Sequence, residues 1–280
     1  MDNIIVNIDT RFRNKKLYPN SGKFTFNLKE KIKDVMYVRL SSVEIPNLYF
    51  TFSDKKDNTS FIVTINNNSY KIKIDEGFYT SNQMLQALLD QFELIPGNLN
   101  IILNLANGYI TIESDSPFSL DFSNNSEYES LGHHLGFREL TYTAKQKTVN
   151  GNIVYYVISE SQLDVIGDNY VMLKVNDYGK MYNFKGKEEI DNYLGKIIIT
   201  TAKAEKNFDN NNFITKLHIF RQPVNISRFD IELLDPYKNT IDTIQMEYSL
   251  TLELGIIHDK NVYDKYLNDI YYQNILNGLS

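Results

Sequence analysis

Apolar and polar residues alternate along much of this chain, and the alternation predicts β-strands. The longest alternating run extends from Gln245 to Ile256, where every second residue is apolar. A two-residue period of this length is typical of a strand with one face on a core and the other in solvent. A second run, from Val35 to Ile45, is apolar on both faces in places and predicts a strand covered on both sides. Pro46 predicts its end, because proline cannot donate a hydrogen bond to a neighbouring strand.

Short turns rich in asparagine separate other alternating runs and predict β-hairpins. Residues 61–65 and 70–74 are joined across Asn66-Asn67-Asn68, and another pair of runs is joined across Asn107-Gly108. Asparagine and glycine tolerate the positive φ angles that tight hairpin turns require. The remaining runs complete a chain that we expect to be mainly β; they cover residues 23–28, 154–158, 171–175, 196–202, 217–221 and 229–233.

One interior segment has the spacing of an α-helix instead. Thr80 and Gln83 form a capping-box pattern, in which each side chain satisfies a free backbone amide at the helix start. Apolar residues then recur at helical spacing as far as Pro96-Gly97, which ends the helix. A second, shorter helix is predicted to begin at Ser126, with a glutamate three residues later.

The period of the pattern changes again after Asn261. Apolar residues at helical spacing predict an amphipathic C-terminal helix, which packs either on its own domain or on a neighbouring molecule. The pattern does not choose between these two destinations. The apolar stripe of this helix is the candidate partner-contact surface and consists of Tyr263, Tyr266, Ile270 and Tyr271.

Together these elements predict a jelly-roll-like sandwich, or two of them, with a small α+β insert and a C-terminal amphipathic helix. Residues 1–54 would supply the N-terminal strands of the jelly roll, and residues 150–258 would supply its remaining strands. Residues 55–149 would form the insert that carries the interior helix, and residues 259–280 would form the helical tail.

Composition and charge narrow the function classes. The net charge is −6 and the lysines are scattered, so we expect no nucleic-acid partner, because binding to phosphates needs a concentrated basic face. The absence of cysteine excludes disulfides and thiolate chemistry and fits assembly in a reducing cytosol. No apolar stretch approaches the length of a membrane-spanning helix, and we expect no membrane span.

Residues that carry chemistry form no recognisable constellation in the sequence. His133 and His134 are adjacent and point to different sides of a helix, so they do not share a metal ion as histidines four residues apart do. Nucleophile-elbow, phosphate-loop and dinucleotide-binding patterns are missing from the sequence. We therefore expect no catalytic residue, no cofactor and no metal ion, and a protein that is not an enzyme.

Several segments, taken in order, resemble a known family. They include the opening Ile8-Asp9-Thr10-Arg11-Phe12-Arg13, a strand ending in Glu44-Ile45-Pro46-Asn47, and Leu131-Gly132-His133-His134-Leu135-Gly136-Phe137. Over residues 8–256 the chain resembles structural proteins of giant and other large DNA viruses, and distantly the penton proteins at the vertices of adenovirus-type particles. The opening departs from the acidic or serine-bearing form usual in that family, and the tail after Ile257 is additional. The other segments that carry the resemblance are residues 24–28, 76–80, 221–223, 226–229 and 234–236.

The resemblance implies a virion structural protein, a minor capsid or vertex (penton-like) component that is assembled in the host cytoplasm. It implies contacts with other capsid proteins and with copies of the same chain, a pentamer being the form that the vertex proteins suggest. Two other functions remain open. A virion surface fibre or glycan-binding module would use aromatic residues in loops, namely Tyr49, Phe50 and Tyr178 through Tyr182. A carboxylate-based hydrolase would place paired acids in a groove of the β-scaffold.

Overall fold

A computed structural model of the protein describes residues 2–47, 49–126, 128–179, 181–184, 188–203, 205–209, 216–243 and 246–257, together with Lys265 and Asp269. The fold is mainly β, as the alternation predicts, and its curled antiparallel sheets are consistent with a β-sandwich or jelly roll. The described α-helices with defined bounds are α1 (Ser81–Phe92) and α2 (Leu131–His134), and single turns of 3-10 helix occur at Thr10–Phe12 and Asp54–Lys56. The strands within them are β1 (Asp2–Asp9), β2 (Lys23–Pro46), β3 (Ser60–Ile65), β4 (Asn68–Lys73), β5 (Asn100–Leu103), β6 (Tyr109–Ser114), β7 (Phe118–Asp121), β8 (Thr141–Thr143), β9 (Lys145–Val149), β10 (Asn152–Gln162), β11 (Tyr170–Val175), β12 (Met181–Phe184), β13 (Glu188–Asp191), β14 (Gly195–Ile198), β15 (Lys206–Asp209), β16 (Leu217–Leu234) and β17 (Ser249–Ile256).

The chain divides into two compact units. The first combines Met1–Tyr49 with Asn169–Ser280, and the second is the continuous stretch Phe50–Asp168. The sequence placed the end of an insert at residue 149, whereas the second unit continues to Asp168. The difference arises because β10 pairs with β6 and with β9, so it completes a sheet of the second unit rather than a strand of the first.

The first unit is built on a seven-stranded sheet with the order β1-β17-β2-β16-β11-β14, in which β15 also pairs with β2. All of its pairings are antiparallel. Its core consists of buried aliphatic and aromatic side chains, among them Val38, Leu40, Leu173 and Phe229. A separate hairpin of β12 and β13 also belongs to this part of the chain.

Two long strands form the centre of this sheet. β2 and β16 pair from Leu217 with Arg39 to Glu232 with Lys23, and the register shifts three times between those ends. Such irregularities bend a strand and increase its twist, so one ribbon contributes to both halves of a curled sheet. Pro223 lies within β16 next to a register shift, which is where a strand tolerates a residue without an N–H group.

The second unit contains two four-stranded sheets, with the orders β5-β6-β10-β9 and β4-β3-β7-β8. The predicted hairpin between β3 and β4 is confirmed, and its turn residues Asn66 and Asn67 have φ angles of 51° and 64°. The predicted capping box is also confirmed, because Thr80 accepts a hydrogen bond from the Gln83 amide and the Gln83 side chain accepts one from the Thr80 amide. Met84, Leu88 and Phe92 of α1 are buried in the core of this unit.

The prediction that the short helix begins at Ser126 is wrong. The residue that caps α2 is Ser130, whose hydroxyl accepts a hydrogen bond from the His133 amide at 3.2 Å. The Ser126 carbonyl instead accepts from the Glu129 and Ser130 amides and closes a turn before the helix. Ser126 has the capping-box glutamate three residues later, whereas Ser130 has His133 at that position, so the local pattern favoured the wrong serine. Leu131, directly after Ser130, is buried in the core.

The predicted C-terminal helix lies outside the described residues, apart from Lys265 and Asp269, which have helical backbone and are exposed. None of the described helices is long and apolar enough to cross a membrane.

Candidate functional site

The opening segment that resembles the viral family forms a capped turn at the end of β1. Residues Thr10–Phe12 make one turn of 3-10 helix, and the Asp9 carboxylate accepts a hydrogen bond from the Arg11 amide at 2.9 Å. The Arg11 guanidinium folds back onto the same carboxylate, with Nε 3.0 Å from Oδ1. The hydrogen bond from Arg11 holds the pKa of Asp9 below its usual value, so the carboxylate stays ionised at neutral pH.

Arg13 is the most buried charged side chain of that segment. Its guanidinium donates hydrogen bonds to the carbonyl oxygens of Thr10, Tyr18 and Pro19, each at 2.8 Å. It also forms an ion pair with Glu247, just before β17. One side chain therefore closes the loop after β1 and attaches it to the opposite end of the sequence.

Thr10 completes the same attachment. Its hydroxyl donates to Glu247 Oε2 at 2.7 Å and accepts from the Tyr248 amide at 2.8 Å, while its own amide donates to the Tyr248 carbonyl at 3.0 Å. Burial would raise the pKa of Glu247, but hydrogen bonds from Lys15 and Thr10 and the charge of Arg13 lower it overall. We call Thr10, Arg13, Glu247 and Tyr248 the β1–β17 joint.

A small polar cleft of about 140 Å³ lies beside the β1–β17 joint. Ligand pockets usually measure about 300–1,000 Å³, so this cleft accommodates ions and water rather than a sugar ring. Its charged groups are already matched: Asp9 with Arg11, Glu247 with Arg13, and Glu44 with Lys206 at 2.8 Å. The residues that line it are Asp9, Arg11, Glu44, Pro46, Lys206, Glu247, Tyr248 and Ser249.

Two of the carboxylates that line this cleft, Asp9 and Glu247, do not have the properties of a glycosidase acid. Hydrolysis by two carboxyl groups needs one whose pKa is raised, so that it can protonate the leaving oxygen. The pKa values of Asp9 and Glu247 are both lowered, by Arg11 and by the partners of Glu247 respectively. Both groups are therefore suited to ion pairing and not to proton donation.

A second polar network crosses the outer face of the same sheet. Glu253 accepts hydrogen bonds from Tyr37 at 2.8 Å and from Asn3 at 3.1 Å, and it forms an ion pair with Arg39. The bond from Arg39 lowers the pKa of Glu253 although burial opposes it. Gly255 lies beneath the Tyr37 ring, where a Cβ atom would come within 2.1 Å of a ring carbon. The sequence placed Glu253 on a solvent face, and that expectation is wrong because Tyr37 and Arg39 cover it.

The paired histidines belong to the second unit and are separated by their surroundings. His134 Nδ1 lies 3.0 Å from the Asp164 carbonyl, its ring packs edge-on against Phe52, and burial lowers its pKa to about 4. His133 Nδ1 faces the Arg138 guanidinium at 3.3 Å, and a cation in that position competes with a metal ion. No three histidine, aspartate or glutamate side chains come together as a metal site anywhere in the described part of the chain.

Two of the aromatic residues considered for glycan binding, Tyr49 and Tyr178, are engaged in packing. Tyr49 is buried, with the Lys203 ammonium 4.0 Å from the centre of its ring. Tyr178 stacks on His218 with the ring centres 5.3 Å apart. Neither ring is presented as a platform for a sugar.

The residues proposed from sequence as partner contacts, Tyr263, Tyr266, Ile270 and Tyr271, lie outside the described residues. The β1–β17 joint itself was not foreseen as a site. The sequence singled out the opening segment, which supplies Thr10 and Arg13. It did not identify their partner Glu247, which is 234 positions from Arg13 and is not connected to it by any local pattern.

Fold and site together define a class: a mainly β protein with curled antiparallel sheets and a small cleft in which acidic side chains are paired with cations. No family model matches the chain, and no curated protein matches it. Among solved structures, the chain is similar to the crystal structure of the selenomethionine-labelled mavirus penton protein. That comparison covers 92% of this chain and 100% of the penton protein, at 10% sequence identity and a TM-score of 0.46.

Proposed function

We propose that the chain is a structural protein of a virus particle, a minor capsid or vertex (penton-like) component that acts through protein–protein contacts. The observation that carries the proposal is the position of three of the family-like segments. The opening segment, residues 44–47 and residues 131–137 each hold a junction of the fold together. The opening segment supplies Thr10 and Arg13 to the β1–β17 joint. A capsid subunit under force from its neighbours needs hydrogen bonds and ion pairs that hold the ends of its strands in place. An enzyme instead needs reactive groups that are free to contact a substrate.

The segment Glu44-Ile45-Pro46-Asn47 has the same kind of role. Ile45 and Asn47 are buried, and the Asn47 side-chain amide donates to the Thr201 carbonyl at 2.9 Å. The Asn47 backbone amide donates to the Glu205 carbonyl at 2.8 Å. The end of β2 is thus attached to the stretch that leads into β15.

The segment from Leu131 to Phe137 fastens the second unit. Leu131, Leu135 and Phe137 are buried in its core, and the Phe137 ring stacks on Phe122 with centres 5.3 Å apart. The Gly136 carbonyl accepts from the Ser161 amide at 2.9 Å, which ties the segment to β10.

The partners follow from this proposal. We propose that the chain assembles with copies of itself, as a pentamer, and with other capsid proteins, in the host cytoplasm and then in the virion of a large DNA virus. We also propose that Tyr263, Tyr266, Ile270 and Tyr271 contact a partner. Deleting residues 261–280 and measuring both thermal unfolding and assembly tests that surface: loss of assembly with an unchanged unfolding temperature supports it, and loss of folding contradicts it.

Purified particles provide the direct test of the virion role. Mass spectrometry of purified particles should detect peptides of this chain, and gold-labelled antibodies should decorate the vertices in electron micrographs. Complete absence of the chain from purified particles would contradict the proposal.

A further inference from the structure

β1 forms one edge of the seven-stranded sheet. It pairs with β17 over its whole length, from Asp2 with Ile256 to Asp9 with Ser249, without a register shift. Among the described strands, none pairs with its other side. Its even-numbered residues Val6 and Ile8 are buried, and Ile5 is 58% exposed on the outer face.

The hydrogen bonds show which backbone groups of β1 face the open edge. The Thr10 amide donates to the Tyr248 carbonyl, and the Ile257 amide donates to the Asp34 carbonyl of β2. Neighbouring residues in an antiparallel pair alternate in direction, so the even-numbered residues of β17 face β1 and its odd-numbered residues face β2. The N–H and C=O groups of Asn3, Ile5 and Asn7 therefore point away from β17, toward the open edge.

This edge lacks the features by which proteins protect an exposed strand. Short length, lysines, proline and β-bulges are the usual protections. The edge strand β9 carries Lys145 and Lys147, β4 carries two lysines, and β5, β8 and β14 are each four residues or shorter. β1 has eight residues, no bulge, no proline and no charge between Asp2 and Asp9. We expect an unprotected edge strand of this kind to be paired with another strand in the functional form of the protein.

The sequence of the edge is complementary to itself. Residues 3–7 read Asn-Ile-Ile-Val-Asn, which is symmetric in residue type about Ile5. In an antiparallel pair of two copies with a two-fold axis at Ile5, Ile5 faces its counterpart and Asn3 faces Asn7. Alternation then supplies about six backbone hydrogen bonds between the copies. The acidic residues at the strand ends do not face each other in this register.

We propose that β1 pairs with β1 of a second copy of this chain, antiparallel and with the two-fold axis at Ile5. Such a contact uses the same patch on both molecules, as two-fold interfaces do. The even-numbered side chains remain in their own core, so neither copy has to refold. This pairing is independent of the proposed pentamer, because it joins two chains, or two rings, through a surface of their own.

Cysteine crosslinking tests the pairing and its register, since the chain has no cysteine of its own. In a hydrogen-bonded antiparallel pair, facing Cα atoms are about 5.5 Å apart, within the range that a disulfide spans. Ile5→Cys should give a disulfide-linked dimer under mild oxidation. At about 10 µM chain, this dimer should form on the order of a hundredfold faster than the Ile158→Cys dimer, because paired thiols have an effective concentration of about 1 mM. Ile158 is a matched control, a strand isoleucine that is 48% exposed.

Two further crosslinking experiments test the register of the β1–β1 pair. Asn3→Cys alone should not crosslink, because its counterpart lies about 13 Å away along the strand. A mixture of Asn3→Cys and Asn7→Cys should crosslink only between the two variants. Crosslinking of Ile5→Cys no faster than that of Ile158→Cys would overturn the proposal, and so would crosslinking of Asn3→Cys with itself.

The mass of assemblies formed by substituted chains provides a second, independent test of the β1–β1 pairing. Ile5→Pro removes an N–H group that points to the open edge and leaves the bonds to β17 intact, so the fold should tolerate it. The variant should have half the assembled mass of the unsubstituted chain at the same unfolding temperature. Ile5→Lys should behave in the same way and serves as the test if the proline variant does not fold. An undiminished mass in a folded Ile5→Lys variant would overturn the proposal.

Discussion

Arg13 and Glu247 form an ion pair across 234 positions of sequence, and only 2% of the Arg13 side chain is exposed. The guanidinium also satisfies three backbone carbonyl groups, so it closes a loop and joins two strands at once. A single residue thereby couples the end of β1 to the start of β17, and it belongs to the opening segment that the sequence analysis singled out.

Arg13→Ala should lower the free energy of unfolding by about 2–4 kcal/mol, because it leaves three carbonyl groups without that donor and removes the most buried cation paired with Glu247, which keeps only Lys15 and Thr10. Arg11→Ala is the matched control, since that side chain is 68% exposed and its pair with Asp9 is local. An exposed pair contributes about 0–1 kcal/mol. Urea denaturation of both variants checks the difference, and equal losses would contradict the role of the joint.

Acid should weaken the network around Glu253. The bond from Arg39 lowers the pKa of Glu253 below its ordinary value of 4.5, so its stabilisation is complete at neutral pH and disappears as the pH falls through the lowered pKa. Glu253→Gln should therefore reduce the free energy of unfolding by about 1–3 kcal/mol at pH 7 and by less near pH 3, where part of the carboxylate is protonated. Urea denaturation at both pH values measures this. Glu30→Gln, at an exposed position of β2, controls for the loss of one negative charge, and a Glu253→Gln effect that is the same at both pH values would contradict the prediction.

His134 should produce a separate loss of stability at milder acidity. Burial lowers its pKa from 6.5 to about 4, so the folded protein binds this proton less readily than the unfolded chain does. The stabilisation is present above pH 6.5 and is lost as the pH falls toward 4, by roughly 2–3 kcal/mol. His134→Asn should remove this slope while an amide still faces the Asp164 carbonyl. Unfolding free energies measured between pH 7 and pH 4 test it, and an unchanged slope in the variant would refute the assignment.

Gly132 should not accept even one methyl group. A Cβ atom there would lie 2.4 Å from a carbon of the Phe122 ring, inside the packed core of the second unit. Gly132→Ala should cost about 1–3 kcal/mol through overpacking, despite the higher helix propensity of alanine. Gly77→Ala is the control, since its nearest neighbour would be 3.9 Å away. Equal unfolding temperatures for the two variants would contradict this prediction, because they would show that the Phe122 ring can move to make room for the added methyl group.

The sequence predicted those elements whose cause is local. The capping box at Thr80 and the hairpin turn at Asn66 and Asn67 depend on residues a few positions apart, and the structure confirms both. The alternation before Ile256 likewise predicted the buried face of β17, with Leu250, Leu252 and Leu254 in the core.

The features that the sequence did not predict depend on distant partners. Residues 23–28 and 35–45 were predicted as two strands, and so were residues 217–221 and 229–233. Pairing between β2 and β16 makes each of these two sets one continuous strand. The end of the second unit was misplaced for the same reason, since β10 is assigned by its pairing with β6. Glu253 gave no local sign of burial, because Tyr37 and Arg39 reach it from another strand.

The proposed function requires copies of this chain to assemble with one another. Native mass spectrometry of the purified chain at micromolar concentration measures that assembly. Discrete assemblies of identical copies, a pentamer or a pair of pentamers joined through β1, are the expected result. A mass of one chain at every concentration would contradict it.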